Sequence, residues 1–389
     1  MLHIADFDDI KAGKVTDVYF VRTLEILKAK GIDKRVRAEV IAKTLPDGWQ
    51  WAVLGGLEEC AKLLEALDVS VRCMPEGTVF RPFEPVLEIE GMYSHFCIYE
   101  TAILGFLCQS SGIVTKSARC RRLAPNHTII SFGARRMHPS LAPMIERSAY
   151  VGGCDGVSVV LSAELLGESA VGTMPHALIL VIGSTVEAVK AFDEVISPKV
   201  PRIALIDTFN DEKFEALNVA SALGNRLYAV RLDTPASRRG NFRQILEEVR
   251  WELDLRGYKH VKLFVSGGID EEDIRALKDV VSGYGVGTAI SNAPVVDFSL
   301  DIVEVDGKPL AKRGKWSGAK SVWRCEACFG DVVLPLGQAP PDCPCGGKRF
   351  DIIEQLTVDG KLVKPIPNVH EIRRRVLKQM EKLEQLGLP

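Results

Sequence analysis

The sequence predicts an α/β protein: an incomplete α/β barrel with an N-terminal α+β domain before it and a C-terminal cysteine module after it. Three observations predict this. From about residue 128 onward, short apolar, β-rich runs alternate with helical stretches, the rhythm of a parallel sheet covered on both faces. Before residue 111, helix and strand patterns mix without that rhythm. Past residue 314, four cysteines fall close together.

The bulk numbers agree with several domains and a small-molecule partner. At 389 residues the chain exceeds what one hydrophobic core usually fills. Apolar residues make up 47%, charged residues 26%, and the net charge is -2, which gives no overall pull on nucleic acid. The first ten residues, MLHIADFDDI, carry acids where an export signal would carry Lys or Arg, and apolar runs such as 177–182 are far shorter than a bilayer span of ~20 residues. The expectation is a cytoplasmic protein with no membrane partner.

In the first part, residues 58–67 read as an amphipathic helix and 78–92 as a hairpin. Residues 96–123 are helical in period, with Ser110, Ser111 and Gly112 reading as a break that leads into the next unit. Domains are expected over 1–110, 111–289 and 314–389, with 290–313 available to rejoin the first.

The apolar runs are 128–132, 156–160, 177–182, 202–206, 227–230, 261–265 and 284–286. This many units point to a barrel or a doubly wound sheet, and the barrel is favoured. Chemically capable groups stand at the C-terminal side: Arg135, Arg136 and His138; Asp207; Arg231 and Asp233; Ser266, Gly267 and Gly268; Gly287 and Thr288. Carboxyl ends of parallel strands are where such folds build their sites, so one pocket is expected to gather them all.

Residues 297–310 (DFSLDIVEVDGKPL) alternate around an Asp-Gly turn and read as a hairpin returning to the first domain. The last helix, 371–386, puts Ile372, Val376, Met380 and Leu383 on one face.

Cys325, Cys328, Cys343 and Cys345 form the pattern C-x2-C-x14-C-x-C. Two close thiolate pairs supply four soft ligands in tetrahedral reach, which suits structural Zn²⁺ better than four idle thiols. The C-x-C half departs from the commoner C-x-x-C, so iron stays open. The other six cysteines (Cys60, Cys73, Cys97, Cys108, Cys120, Cys154) show no paired spacing and are expected reduced. Residues 311–389 hold 14 Lys plus Arg against 9 Asp plus Glu, which raises a zinc-containing nucleic-acid-binding module as an alternative. The alternating signs of the last helix read instead as a solvated face.

FVSGGI (264–269) and YGVGT (284–288) each close a strand on glycines and open a helix. Glycine lets backbone N–H groups approach an anion, so two consecutive copies point to a phosphate site. Asp207 and Asp233 suit Mg²⁺, ribose hydroxyls or developing positive charge, with helix capping the rival for Asp207. His176 beside an apolar run reads as core on chemistry alone. Adjacent Arg135 and Arg136 call for anions.

Taken together, these strings resemble the nicotinate phosphoribosyltransferases, related to quinolinate phosphoribosyltransferase. The pieces are TDVY (16–19), LCQSSGIVTK (107–116), FGARR (132–136), GTMPH (172–176), LIDTF (205–209), VRLDT (230–234), SGGI (266–269) and GVGT (285–288). Quinolinate enzymes carry Thr-Arg-Lys-Thr where Gly133, Ala134, Arg135 and Arg136 stand here, which favours nicotinate. Nicotinamide is disfavoured because a neutral amide gives paired arginines no partner charge. A tRNA base-exchanging enzyme is the rival of another class, since it too joins a barrel to zinc.

The resemblance implies transfer of phosphoribose from phosphoribosyl pyrophosphate to nicotinate, with ATP as co-substrate and Mg²⁺ carried by the pyrophosphate. Phosphoribosyl pyrophosphate would meet Lys116, Arg136, His138, Ser266, Gly267, Gly268, Gly287 and Thr288. Nicotinate would lie between Tyr19 and Phe132, its carboxylate on Arg135 or Arg231 and the Thr173 hydroxyl. Asp207 and Asp233 would serve the ribose, and His176 matches the histidine that family members phosphorylate from ATP. The resemblance also implies a homodimer in which Tyr19 reaches across the interface.

Overall fold

The computed structural model describes residues 3–65 and 67–388, so Met1 and Leu2 of the acidic start, Ala66 of the expected helix and Pro389 lie outside the described residues. The chain forms two compact units, Met1–Ala118 with Pro294–Pro389, and Arg119–Ala293.

The first unit is built on a seven-stranded antiparallel sheet in the order Lys308–Pro309, Phe298–Val305, Arg35–Ala42, Pro85–Met92, Val69–Cys73, Glu354–Val358, Lys361–Leu362. Its core gathers Val40, Leu54, Leu64, Phe80, Leu87, Ile89, Phe96, Ile103 and Leu107. The expected return of 297–310 is present: Phe298–Val305 pairs with Arg35–Ala42, and Asp306 and Gly307 turn the chain at φ 47° and 73°. The helix Leu57–Leu64 buries Leu57, Cys60, Ala61, Leu63 and Leu64.

Residues 78–92 are not a hairpin. Val79–Phe80 pairs with Ala52–Val53, while Pro85–Met92 lies between Arg35–Ala42 and Val69–Cys73, because Phe83, at φ 67°, redirects the chain between them. Nor do Ser110, Ser111 and Gly112 break the helix, which runs unbroken over Glu100–Leu123. Gly112 is there for close approach: a Cβ on it would sit 2.2 Å from the Pro294 carbonyl oxygen. The continuous helical stretch Tyr93–Leu123 is long and apolar enough to cross a bilayer, so the shortness of the apolar runs was not the whole account, yet half of its apolar window is buried in the protein.

The segment after 314 is part of this first unit. Glu354–Val358 extends the main sheet, and the helix Val369–Gln385 buries Ile372, Val376, Met380 and Leu383. That helix starts on a capping box between Asn368 and Glu371. The cysteines stand at the end of a small sheet of Asp331–Pro335, Lys320–Cys325 and Arg349–Asp351.

The second unit holds a six-stranded, all-parallel sheet curled into an incomplete barrel, in the order Gly156–Val157, Thr128–Ser131, Gly283–Val286, Lys262–Val265, Leu227–Leu232, Arg202–Leu205. Strand interiors such as Ile129, Ala204, Val230, Leu263 and Tyr284 are buried, as two covered faces require. One expected strand is a helix: 177–182 belongs to His176–Ile182. A run of six apolar residues fits either structure, and Pro175 at the N-cap with Gly183 at the C-cap decides for helix. It is not buried either, since Leu180 and Val181 are 59% and 86% exposed.

Candidate active site

At the carboxyl ends of these parallel strands lies a cavity of about 760 Å³. Its wall includes Phe132, Arg135, Arg136, Thr173, Arg231 and Asp233, followed by Ser266, Gly267, Gly268, Gly287 and Thr288. Most of the residues expected at the strand ends line this one space.

Each wall element has a local cause. Gly267 and Gly268 hold φ of 83° and 76°, a region that favours glycine, and a Cβ on Gly267 would meet Asp233 Oδ1 at 2.8 Å. Gly285 leaves room for the Phe132 ring, since a Cβ there would overlap the ring at 2.3 Å. Asp233 accepts from the Ser266 hydroxyl at 2.7 Å, joining the ends of two strands.

The arginines differ in availability. Arg231 lies over the Phe132 ring, 5.9 Å from its centroid, and donates to Ser266 Oγ at 3.3 Å and the Met174 carbonyl at 3.1 Å. Its buried Nε has no partner among the described residues, and burial pulls its pKa below the usual arginine value against Asp233 and Asp207. Arg135 and Arg136 are exposed on the wall, and their side chains make no ion pair or hydrogen bond with the described residues. The cavity thus presents open guanidinium groups beside backbone turns able to face an anion.

Asp207 and His176 stand together beside the wall. His176 Nε2 is 3.2 Å from Asp207 Oδ1. Burial pushes the Asp207 carboxyl above its ordinary value, with the pairing to His176 pulling the other way. Asp207 Oδ2 and Thr208 Oγ1 are buried without partners among the described residues, which suits a cation or a ligand hydroxyl. Asp207 is not a helix cap: Asp211 caps Glu212–Leu223. His176 is the first residue of its helix and half-buried, not core.

Besides Asp207 and His176, three further candidates are not on this wall. His138 is exposed, and its Nδ1 accepts from the Ser140 amide at 3.3 Å to cap the turn Pro139–Leu141. Proline after it forces that extended entry into the turn, which turns the ring to local capping. Tyr19 and Lys116 belong to the other unit. Tyr19 is exposed on the helix Val18–Lys30, its ring 4.3 Å from that of Phe20, and Lys116 lies on Glu100–Leu123.

Two contributors escaped the sequence. Glu146 is fully buried and accepts from the Ser158 amide at 2.9 Å, the Ser158 hydroxyl at 2.8 Å and the Val159 amide at 3.0 Å, which fixes two wall residues. Arg239 donates to the Thr234 carbonyl at 2.8 Å and to the carbonyls of Ser266 and Gly267. Neither lies in a short string with an evident chemical reading; a Glu within an otherwise apolar helix face was the available signal.

In the first unit the four cysteine sulfurs all lie within 4.8 Å of one another. Cys325 and Cys345 are 3.4 Å apart, Cys328 and Cys343 3.6 Å, Cys343 and Cys345 3.4 Å. Four thiolates on ~2.3 Å bonds to a tetrahedral ion stand roughly 3.8 Å apart, so the set fits Zn²⁺. Backbone amides of Cys328 and Ala327 hold the Cys325 thiol down to about 6, ready to ligate. A Cβ on Gly347 would sit 2.7 Å from Cys325 Sγ, which keeps that position free of side chain. The remaining six cysteines form no disulfide among the described residues.

The model of the quinolinate phosphoribosyl transferase N-terminal domain matches residues 17–111, and that of the C-terminal domain matches 113–301. The chain belongs to the nicotinate and quinolinate phosphoribosyltransferase family. A nicotinate-nucleotide pyrophosphorylase from Pyrococcus furiosus is 56% identical with a TM-score of 0.97, covering 100% of this chain and 99% of that one. A nicotinate phosphoribosyltransferase of Mycobacterium tuberculosis is 29% identical over 85% of this chain and 82% of its own length. Human nicotinic acid phosphoribosyltransferase shares the fold, with a TM-score of 0.74 at 19% identity, covering 94% of this chain and 93% of that one. This phosphoribosyltransferase therefore acts on small molecules.

Proposed function

We propose that the enzyme transfers phosphoribose from phosphoribosyl pyrophosphate to nicotinate, giving nicotinate mononucleotide and pyrophosphate. The observation that carries this reading is a single cavity in which open guanidinium groups and the Phe132 ring face two glycine turns. The 5-phosphate sits in the turns at Ser266, Gly267, Gly268, Gly287 and Thr288, and Arg136 takes the pyrophosphate. Nicotinate lies on Phe132 with its carboxylate on Arg135 and Arg231, near the Thr173 hydroxyl. The pyridine nitrogen forms its bond to the anomeric carbon as the bond to pyrophosphate breaks. No general base is needed, because that nitrogen already holds a lone pair. Asp233 and the orphaned oxygen of Asp207 face the ribose hydroxyls or Mg²⁺, stabilising positive charge on the ring.

ATP coupling runs through His176. With Nε2–H donated to Asp207, Nδ1 keeps its lone pair and attacks the γ-phosphorus, releasing ADP. The cysteine set holds a structural Zn²⁺, supported by the fit of its spacing. The enzyme acts as a homodimer in the cytoplasm without binding nucleic acid or membrane, and Leu161, Leu165, Leu180 and Val181, exposed at 53%, 68%, 59% and 86%, give a partner subunit apolar surface to cover.

Quinolinate is the second reading, favoured by the fact that Arg135 and Arg136 are both open and could take two carboxylates. Incubation of labelled nicotinate, quinolinate or nicotinamide with phosphoribosyl pyrophosphate, with and without ATP, tests the choice. Nicotinate turnover stimulated by ATP is expected; decarboxylating turnover of quinolinate alone would overturn it.

A further inference from the structure

The glycine turn at 266–268 is held from behind by a residue outside the cavity wall. Arg239 Nε donates to the Thr234 carbonyl at 2.8 Å, and one terminal nitrogen donates to the carbonyls of Ser266, at 3.3 Å, and Gly267. Its guanidinium also lies 4.5 Å from the centroid of the Phe242 ring, which fixes its plane. A Cβ on Gly267 would come within 3.3 Å of it. Asp233, reaching the Ser266 hydroxyl at 2.7 Å, holds the same turn from the neighbouring strand.

A peptide turn has two polar faces, and an anion is bound only by the N–H face. Carbonyl oxygens left free at a turn with successive left-handed glycines would repel the anion and let the turn rotate. Arg239 takes up two of those oxygens with one charged group and ties them to the segment 234–240, whose Pro235 and Ala236 themselves line the cavity. We propose that Arg239 is a positioning residue for phosphate binding: it clamps the carbonyl face of the 266–268 turn, so that the amide face stays presented to the 5-phosphate and the 234–240 segment closes with it. This deepens the reading of the cavity given above and rests on it.

The test is binding of ribose 5-phosphate by calorimetry together with steady-state kinetics, on the full-length enzyme, Arg239→Ala, Arg239→Lys and the control Arg238→Ala. Arg238 is exposed on the same segment and its side chain has no partner among the described residues, so it matches the charge without the clamp. Losing charge-assisted bonds at the turn should weaken ribose 5-phosphate binding by roughly tenfold to a hundredfold in Arg239→Ala. The Michaelis constant for phosphoribosyl pyrophosphate should rise alike, that for nicotinate should stay put, and added guanidinium should restore part of the loss. Arg239→Lys should fall between, and Arg238→Ala should resemble the parent. Equal binding by parent and Arg239→Ala, a loss shared equally by both substrates, or the same loss in Arg238→Ala overturns the clamp. Failure of the parent itself to bind ribose 5-phosphate would instead overturn the placement of the phosphate.

Discussion

His176 points its Nε2 at Asp207, 3.2 Å from the nearer carboxylate oxygen, so one ring nitrogen is committed and the other is left to react. A carboxylate can only accept, which sets the tautomer. His176→Ala should stop ATP hydrolysis and leave a slower, ATP-independent transfer. Asp207→Asn should lower ATP hydrolysis without removing the imidazole. Labelling with γ-labelled ATP and peptide mapping checks the site: label on the peptide carrying His138 would move the role there.

Arg135 stands open on the wall while Arg231 is partly committed to Ser266 and Met174. Truncating a guanidinium that holds a desolvated carboxylate costs about 2 to 4 kcal/mol. Arg135→Ala should therefore raise the nicotinate Michaelis constant tens-fold or more. An unchanged constant would place the carboxylate elsewhere.

Removing two ligands of the cysteine set should release its metal. Cys325→Ser with Cys328→Ser is expected to abolish bound zinc by elemental analysis and to lower the melting temperature. Cys325 ends a strand that pairs on both sides, so the loss should register as stability. Full zinc content in the double variant would refute the assignment.

Glu84 gives a pH dependence with a definite sign. Burial, with Asp331 close by, pushes its carboxyl up to about 8 from an ordinary 4.5. The folded state then holds a proton that the unfolded chain has lost, so stability from this group is full below about 4.5 and disappears as pH rises through about 8. Glu84→Gln should flatten the fall in melting temperature across that window. Parallel curves for parent and variant would show that Glu84 is ionised throughout.

Much of the site was legible because its chemistry sits in short strings at strand ends, where residue type and position agree. Arg135, Asp233, Ser266 and Gly287 were placed by that logic, and the cysteines by spacing alone. Local pattern failed where packing decides. The run 177–182 has no period that separates a buried strand from a short helix, and the exposure of Val181 is set by tertiary packing that no local pattern carries. Gly112 carries the same letter whether it breaks a helix or admits a neighbouring carbonyl. Glu146 and Arg239 act on backbone groups brought close only by the fold, so no string announces them.

The interruption of the first unit by the second has a consequence for biosynthesis. The strand Arg35–Ala42 waits for Phe298–Val305, and Val69–Cys73 waits for Glu354–Val358, each pairing separated by more than two hundred residues. A ribosome delivers 119–293 as an uninterrupted stretch between them. The half-barrel can thus close on the nascent chain while the earlier sheet still has both edges open, and the first segment made becomes the last to be completed.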